Sequence, residues 1–377
     1  MSFHKTVTFL KKYFPIILIA LLLILTYSLY KEYYGEKRKH NVYRKVKTFL
    51  FKRDKIHNLL NDDHKELAVY NPSISFIHTG KDKGKYDAIF RASSFSGCLD
   101  VNEIFISHYS FIYKGVITDK GDIESFELMD LPYKEMNRCN DILHSWNGYE
   151  DARLFTFRNE LWCISNVTGD RDDYTCVTRM CIWKINSIQD TYMPLNPPDF
   201  FNPNGGENME KNWCPFEYNN ELYAEYMVNP RKIIKIDIDS GECEIVSYYP
   251  SNKKFPTLRG GASAIPIKYQ NDFYFLNIAH NSINLKSGYF KDFINGQKRF
   301  HRDYIHYFYI FEVKPPFNII GVSPPFKLGN SDELIQFACG ITYNDITNKI
   351  VVSYGEGDCY SALSYYDLNE IFKSLQF

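Results

Sequence analysis

Five short polar clusters carry the side chains of this chain that could do chemistry. They are Glu150-Asp151-Ala152-Arg153, Glu210-Lys211-Asn212-Trp213, Arg259-Gly260-Gly261, His301-Arg302-Asp303-Tyr304-Ile305-His306 and Gly355-Glu356-Gly357-Asp358. Carboxylates set beside guanidinium, ammonium and imidazole groups suit proton transfer and the binding of anions. From Asp151 to Asn212, Arg259, His306 and Asp358 the intervals are 61, 47, 47 and 52 residues, about the length of one β-propeller blade. A ring of such blades would bring all five clusters to one axial pocket.

The elements that must position them are legible separately. Phe155 to Trp162, Phe216 to Tyr223 and Ile267 to Tyr274 share one form: an alternating apolar or aromatic run, an Asn-acid turn, then a second apolar run. Ile341 to Asn348, followed by Lys349 to Ser353, is a looser fourth copy. Asn and Asp tolerate the positive φ of tight turns, so each copy predicts a β-hairpin. No segment of this region has the 3.6-residue periodicity of a long amphipathic helix. The expected fold is all-β, a five-bladed propeller over residues 63–377; a β-sandwich or barrel is the alternative that regular turns also allow.

The chain has 377 residues, 45% of them hydrophobic, which is ample for a core. Its formal net charge of −1 sets up no field to draw in nucleic acid, and no such partner is expected. Aromatic residues reach 17%, a content that suits β packing and also stacking on sugar rings.

The N-terminus reads as a separate module. After a short basic tail, residues 1–12, an uncharged run from Tyr13 to Tyr30 is long enough as a helix to cross the hydrocarbon layer. A cleaved signal peptide is the alternative, but Tyr27 to Tyr30 lacks a small-residue cleavage pattern. A basic stem, residues 31–62, follows. Lysines on both sides of the span leave the charge rule undecided. The sequon at Asn166-Val167-Thr168 and nine cysteines favour a type II protein of the secretory pathway, Golgi or endoplasmic reticulum, with a lumenal β domain and Asn166 as glycan acceptor. Cys163 and Cys176 flank the sequon and either bridge it or stay as buried thiols. No cysteine pair has zinc-site spacing, so no metal site is expected, and no other cofactor is.

Within the clusters, strand alternation places Asp151 and Arg153 on one side and Glu150 on the other. Lys211, Arg259 and His280 are three separated groups able to hold phosphate or a sugar phosphate. Asn212 and Trp213 offer an amide and an indole, and Tyr304 and His306 share one side of an extended segment. Glu356 and Asp358 emerge at a strand end, where they contact sugar hydroxyls, accept protons or form a turn.

Taken together, Asn71-Pro72-Ser73-Ile74 with Arg91, the Glu150-to-Leu154 cluster, Glu210 to Trp213, Arg259 to Gly261, His280, His301 to Tyr307 and Ser353 to Asp358 resemble the five-bladed propellers of glycoside hydrolase family 130. The family contains β-mannoside phosphorylases, and related propellers are β-1,2-mannosyltransferases that use a sugar nucleotide. The resemblance implies inverting chemistry with Asp151 as the catalytic acid or base. It implies phosphate contacts from Lys211, Arg259 and His280, and sugar contacts from Arg91, Glu150, Arg153, Asn212, Trp213, Tyr304, His306, Glu356 and Asp358. Ala152 stands where the family has proline, and Asn281 follows His280 where glycine is common. With a membrane anchor, transfer of a hexose, mannose by resemblance, from a sugar nucleotide or sugar phosphate to a glycan acceptor is the first reading. Phosphorolysis or hydrolysis of a β-mannoside is the second, and a glycan- or protein-binding propeller without turnover is the third.

Overall fold

The computed structural model describes residues 22, 24–26, 43, 46–94, 108–132, 146–170, 176–198, 210–284, 302–329 and 335–376. The chain divides into two compact units, Met1–Arg44 and Lys45–Phe377. In the first unit the described residues 22 and 24–26 are helical. Most of the expected span, residues 13–30, lies outside the described residues. Among the described residues no helix is long and apolar enough to cross a membrane.

The second unit is built of antiparallel β-hairpins. Its first strand is β1 (Lys47–Leu50), followed by helix α1 (Arg53–Leu59). Blade 1 is β2 (Ala68–Phe76), β3 (Tyr86–Ser93), β4 (His108–Ile117) and β5 (Ile123–Leu128). Blade 2 is β6 (Trp146–Phe157), β7 (Glu160–Asp170), β8 (Cys176–Lys184) and β9 (Met193–Pro194), and blade 3 is β10 (Cys214–Tyr218), β11 (Glu221–Met227), β12 (Arg231–Ile236) and β13 (Cys243–Tyr249). Blade 4 has a broken inner strand, β14 (Arg259–Gly260) and β15 (Ile265–Tyr269), both paired to β16 (Asp272–Asn284), then β17 (Arg302–Phe311) and β18 (Ile319–Val322). Blade 5 is β19 (Gln336–Asn344), β20 (Lys349–Glu356), β21 (Tyr360–Asp367) and, on its outer edge, β1. The inner strands neighbour one another in a closed order: β19 meets β2, β2 meets β6, β6 meets β10, and blade 4 joins blades 3 and 5. Five four-stranded blades in a ring are a five-bladed propeller.

The hairpins form where the turn chemistry predicts them. Arg158 and Asn159, Asn219 and Asn220, Gln270 and Asn348 all adopt positive φ at these turns. The cores lie between blades, as at Phe155, Trp162, Trp213 and Ile234 between blades 2 and 3. Closure is the main departure from expectation. Lys47–Leu50 pairs along β21, Lys47 opposite Tyr365 and Leu50 opposite Ala362, so the propeller unit begins at Lys45 and not at Asp63. Part of the expected stem is thus an outer strand that pairs the start of the propeller unit with its last blade, a device by which a ring of sheets hides its edges.

Candidate active site

Inner strands of a propeller pass the axis, and here they are interrupted at matching levels. Strand β2 bulges between Tyr70 and Ser73, β6 between Glu150 and Arg153, and β19 between Ala338 and Gly340. Asn71, Asp151, Asn212 and Asp358 have φ of 50°, 51°, 65° and 50°. These short polar residues are among the few L residues that accept the left-handed region, and bulges at such places re-aim side chains. The bulge also overturns the alternation expected for β6: Glu150 and Asp151 point the same way, because an extra residue resets the pleat.

Arg91 joins the two carboxylates. Its Nη2 donates to Glu150 Oε1 at 2.7 Å, its Nη1 to Asp151 Oδ1 at 3.2 Å, and its Nε to Ser110 Oγ at 2.9 Å. Asn71 Nδ2 donates to the same Asp151 Oδ1 at 2.7 Å. Arg153 is fully buried, donating from Nε to the Gly261 carbonyl at 2.6 Å, from Nη1 to the Asp151 carbonyl at 3.0 Å and from Nη2 to Asn212 Oδ1 at 2.9 Å. Blades 1 to 4 are thereby tied together by two guanidinium groups. Burial pushes the Asp151 carboxyl up, but Arg91, Arg153, the Asn71 amide and Lys211 together more than reverse that and hold it below the usual carboxylate range.

Toward blades 3 and 4 the bonding thins. Lys211 is 33% exposed and has one long contact, 3.4 Å from Nζ to Glu150 Oε2. Arg259 is exposed and stands opposite His280 across β14 and β16. His280 and His306 face each other across β16 and β17, both buried, with ring centroids 6.4 Å apart. His280 Nδ1 and both ring nitrogens of His306 have no hydrogen-bond partner among the described residues. Burial, with Arg153 and Arg259 nearby, lowers His280 to about 3, and burial beside His280 and Lys327 lowers His306 well below its ordinary value. Both imidazoles are neutral at physiological pH. Tyr304 packs at 5.4 Å from His280, and burial, then the Asp358 charge, raises its phenol. Asp358 also contributes to the field at Arg91.

Several expected roles change. Trp213 is fully buried in the core between blades 2 and 3 and donates from Nε1 to Glu210 Oε2 at 3.1 Å, so it cannot stack on a sugar. Arg91 and Arg153 direct their guanidinium nitrogens to protein groups. Glu356 is buried and accepts from Gln336 Nε2 at 3.2 Å, so it supports the rim from within. Asn166 is 1% exposed in β7 and donates to Glu150 Oε2 at 3.3 Å, which leaves no access for a glycan at the sequon. Cys163 is a free buried thiol, so it does not bridge to Cys176. Asn71, which the motif set contains without a role of its own, and Ser110, which no motif contains, also belong to the network around Arg91 and Asp151.

No protein-family model matches the chain, and no curated protein matches it. Among solved structures it is similar to a mannose phosphorylase from Leishmania mexicana in complex with phosphate ion, at 14% identity over 82% of this chain and 86% of the other, with a TM-score of 0.47. A β-1,2-mannobiose phosphorylase from Listeria innocua is similar at 12% identity, 87% and 98% coverage and a TM-score of 0.48. A GDP-Man-dependent mannosyltransferase from Leishmania mexicana is similar at 14% identity, 89% and 94% coverage and a TM-score of 0.48. The propeller assignment itself rests on strand connectivity.

Proposed function

We propose that the chain is a glycan-active enzyme that transfers a hexose, mannose by resemblance, from a phosphate-activated donor to a glycan hydroxyl, with Asp151 as general base. The observation that carries this reading is the charge set around Asp151: Arg91 and Asn71 bond its Oδ1 and Arg153 sits beside it, so the carboxyl enters the reaction ionised. An ionised carboxylate can take a proton from an acceptor hydroxyl, whereas phosphorolysis or hydrolysis would need it to deliver one. In the transfer step the acceptor oxygen bonds to the anomeric carbon as the carbon–oxygen bond to the donor phosphate breaks. The proton passes to Asp151 and the electron pair leaves with the phosphate. Lys211, held only by one long contact to Glu150, and the exposed Arg259 suit that phosphate, and the neutral His280 suits hydrogen bonding to it. The carboxylates and cations gathered around Asp151 also favour turnover over a propeller that only binds.

We further infer that residues 13–30 tether the enzyme to a membrane and that the propeller faces an oxidising lumen. Cys359 is disulfide-bonded, which favours such a compartment, while the sequon no longer contributes. Retention in the membrane under alkaline carbonate is expected, and recovery in the soluble fraction would remove the tether. The activity is tested by presenting the protein with sugar nucleotides, sugar 1-phosphates and manno-oligosaccharides. Acceptor-dependent release of nucleotide or phosphate is expected; consumption of inorganic phosphate with an oligosaccharide to yield a sugar 1-phosphate would favour the phosphorylase reading instead.

A further inference from the structure

Both protein bonds to the Asp151 carboxylate fall on one oxygen. Asn71 Nδ2 lies 2.7 Å from Oδ1 and Arg91 Nη1 lies 3.2 Å from it, whereas Oδ2 accepts from no described residue. Asn71 itself has little freedom. It is 4% exposed, sits at φ 50° on the β2 bulge, and packs against Gly355 of β20, where a Cβ would lie 1.9 Å from Asn71 Oδ1. Turning the amide over would set its oxygen against the carboxylate, acceptor to acceptor. Ser353 Oγ donates to the Pro72 carbonyl at 2.6 Å and Leu154 N donates to Ser73 Oγ at 2.9 Å, so the bulge is fastened to blades 5 and 2 on either side.

We propose that Asn71 is the positioning residue of the reaction: it pins Oδ1 of Asp151 so that Oδ2 is the oxygen that faces, and takes the proton from, the acceptor hydroxyl. This rests on the transfer reading for the identity of the reaction, but not for the pinning. Arg91 alone cannot do it, because the same guanidinium also holds Glu150 and Ser110 and approaches Asp151 at the longer distance.

The test uses the full-length protein with two readouts. The first is a carboxyl-carbon NMR titration of protein labelled at aspartate, with the Asp151 signal identified by its loss in Asp151→Asn. The second is the pH profile of kcat on the substrate that the wild type consumes. Asn71→Asp places two carboxyl groups at hydrogen-bond distance that must share a proton, and should move the Asp151 titration and the acidic limb of kcat upward by about one pH unit or more. Asn71→Ser should lower kcat by about ten-fold with KM changed less than about two-fold. Gly355→Ala, which crowds the amide without touching the carboxylate, should shift the limb in the same direction by less. A residue that merely holds the fold would lower the melting temperature and leave the titration in place. An Asp151 titration that is the same in wild type, Asn71→Asp and Gly355→Ala overturns the proposal. A shifted titration in a protein that transfers no sugar overturns the transfer reading and leaves the pinning of Asp151 standing.

Discussion

The two sides of the axial pocket are built on opposite terms. On the side of blades 1 and 2, Asn71, Arg91, Glu150, Asp151 and Arg153 form a closed network of short bonds. On the side of blades 3 and 4, Lys211 has one long contact, Arg259 is exposed, and His280 and His306 have ring nitrogens with no hydrogen-bond partner among the described residues. Buried polar groups are normally satisfied from within the protein. The bonded side therefore suits the reacting group, whose orientation must be set in advance, and the open side suits the ligand that brings its own acceptors.

The largest effect expected from breaking this contrast is on the bonded side. Arg91→Leu leaves Glu150 buried without its principal cation, and loss of one partner of a buried pair costs about 3–5 kcal/mol. Chemical denaturation should show that loss, and a change below about 1 kcal/mol would mean that Lys211 or solvent replaces Arg91 as partner. Asp151→Asn preserves the Asn71 contact in shape while removing the base, and turnover should fall on the order of 100-fold or more. Near wild-type turnover would remove Asp151 from the mechanism and turn attention to Asp358.

The open side should respond to acid. His280 and His306 have folded values lowered from 6.5, His280 to about 3, so the unfolded chain binds protons that the folded chain refuses. Their contribution is fully present above about pH 6.5 and is lost as the pH falls toward 3, at about 1.4 kcal/mol per pH unit for each histidine. Asp151, also lowered, adds a loss below the ordinary carboxylate range. Melting temperature against pH should fall below pH 6.5, and less steeply in His306→Phe; equal slopes would place the acid sensitivity elsewhere. The smallest effect is expected for Lys211→Ala or Arg259→Ala, which remove a partly exposed cation. Each should raise KM for an anionic donor about ten-fold with little change in kcat. An equal fall in kcat would show that the cation acts only in the transition state.

Much of the fold is legible because it is local. An Asn-acid pair between alternating apolar runs makes its own turn, and the positive φ at Asn159, Asn219 and Asn348 follows from residue type. The order of the five clusters is likewise written along the chain, but they fall on four blades: Arg259-Gly260 and His306 both flank β16 in blade 4, and blade 1 carries none of them. Other features depend on neighbours that sequence spacing does not name. Nothing in Lys47-Thr48-Phe49-Leu50 distinguishes a closing strand from a basic stem until β21 offers it an edge. Glu210-Lys211-Asn212-Trp213 reads as four site residues. The structure splits it, turning Glu210 and Trp213 into the core as a bonded pair and leaving Lys211 and Asn212 at the axis.

The sequence by itself determined that this is a β protein of repeated hairpins with its chemistry in short clusters along the chain, because turn propensity and alternation act over a few residues. Only the tertiary structure decided which members of each cluster reach the pocket. A bulge at Asp151 reverses the face of Glu150, a core closes over Trp213, and the Asn166 sequon becomes a hydrogen-bond donor to a buried carboxylate. Each of those outcomes depends on desolvation and on partners from another blade, and both exist only once the ring has closed.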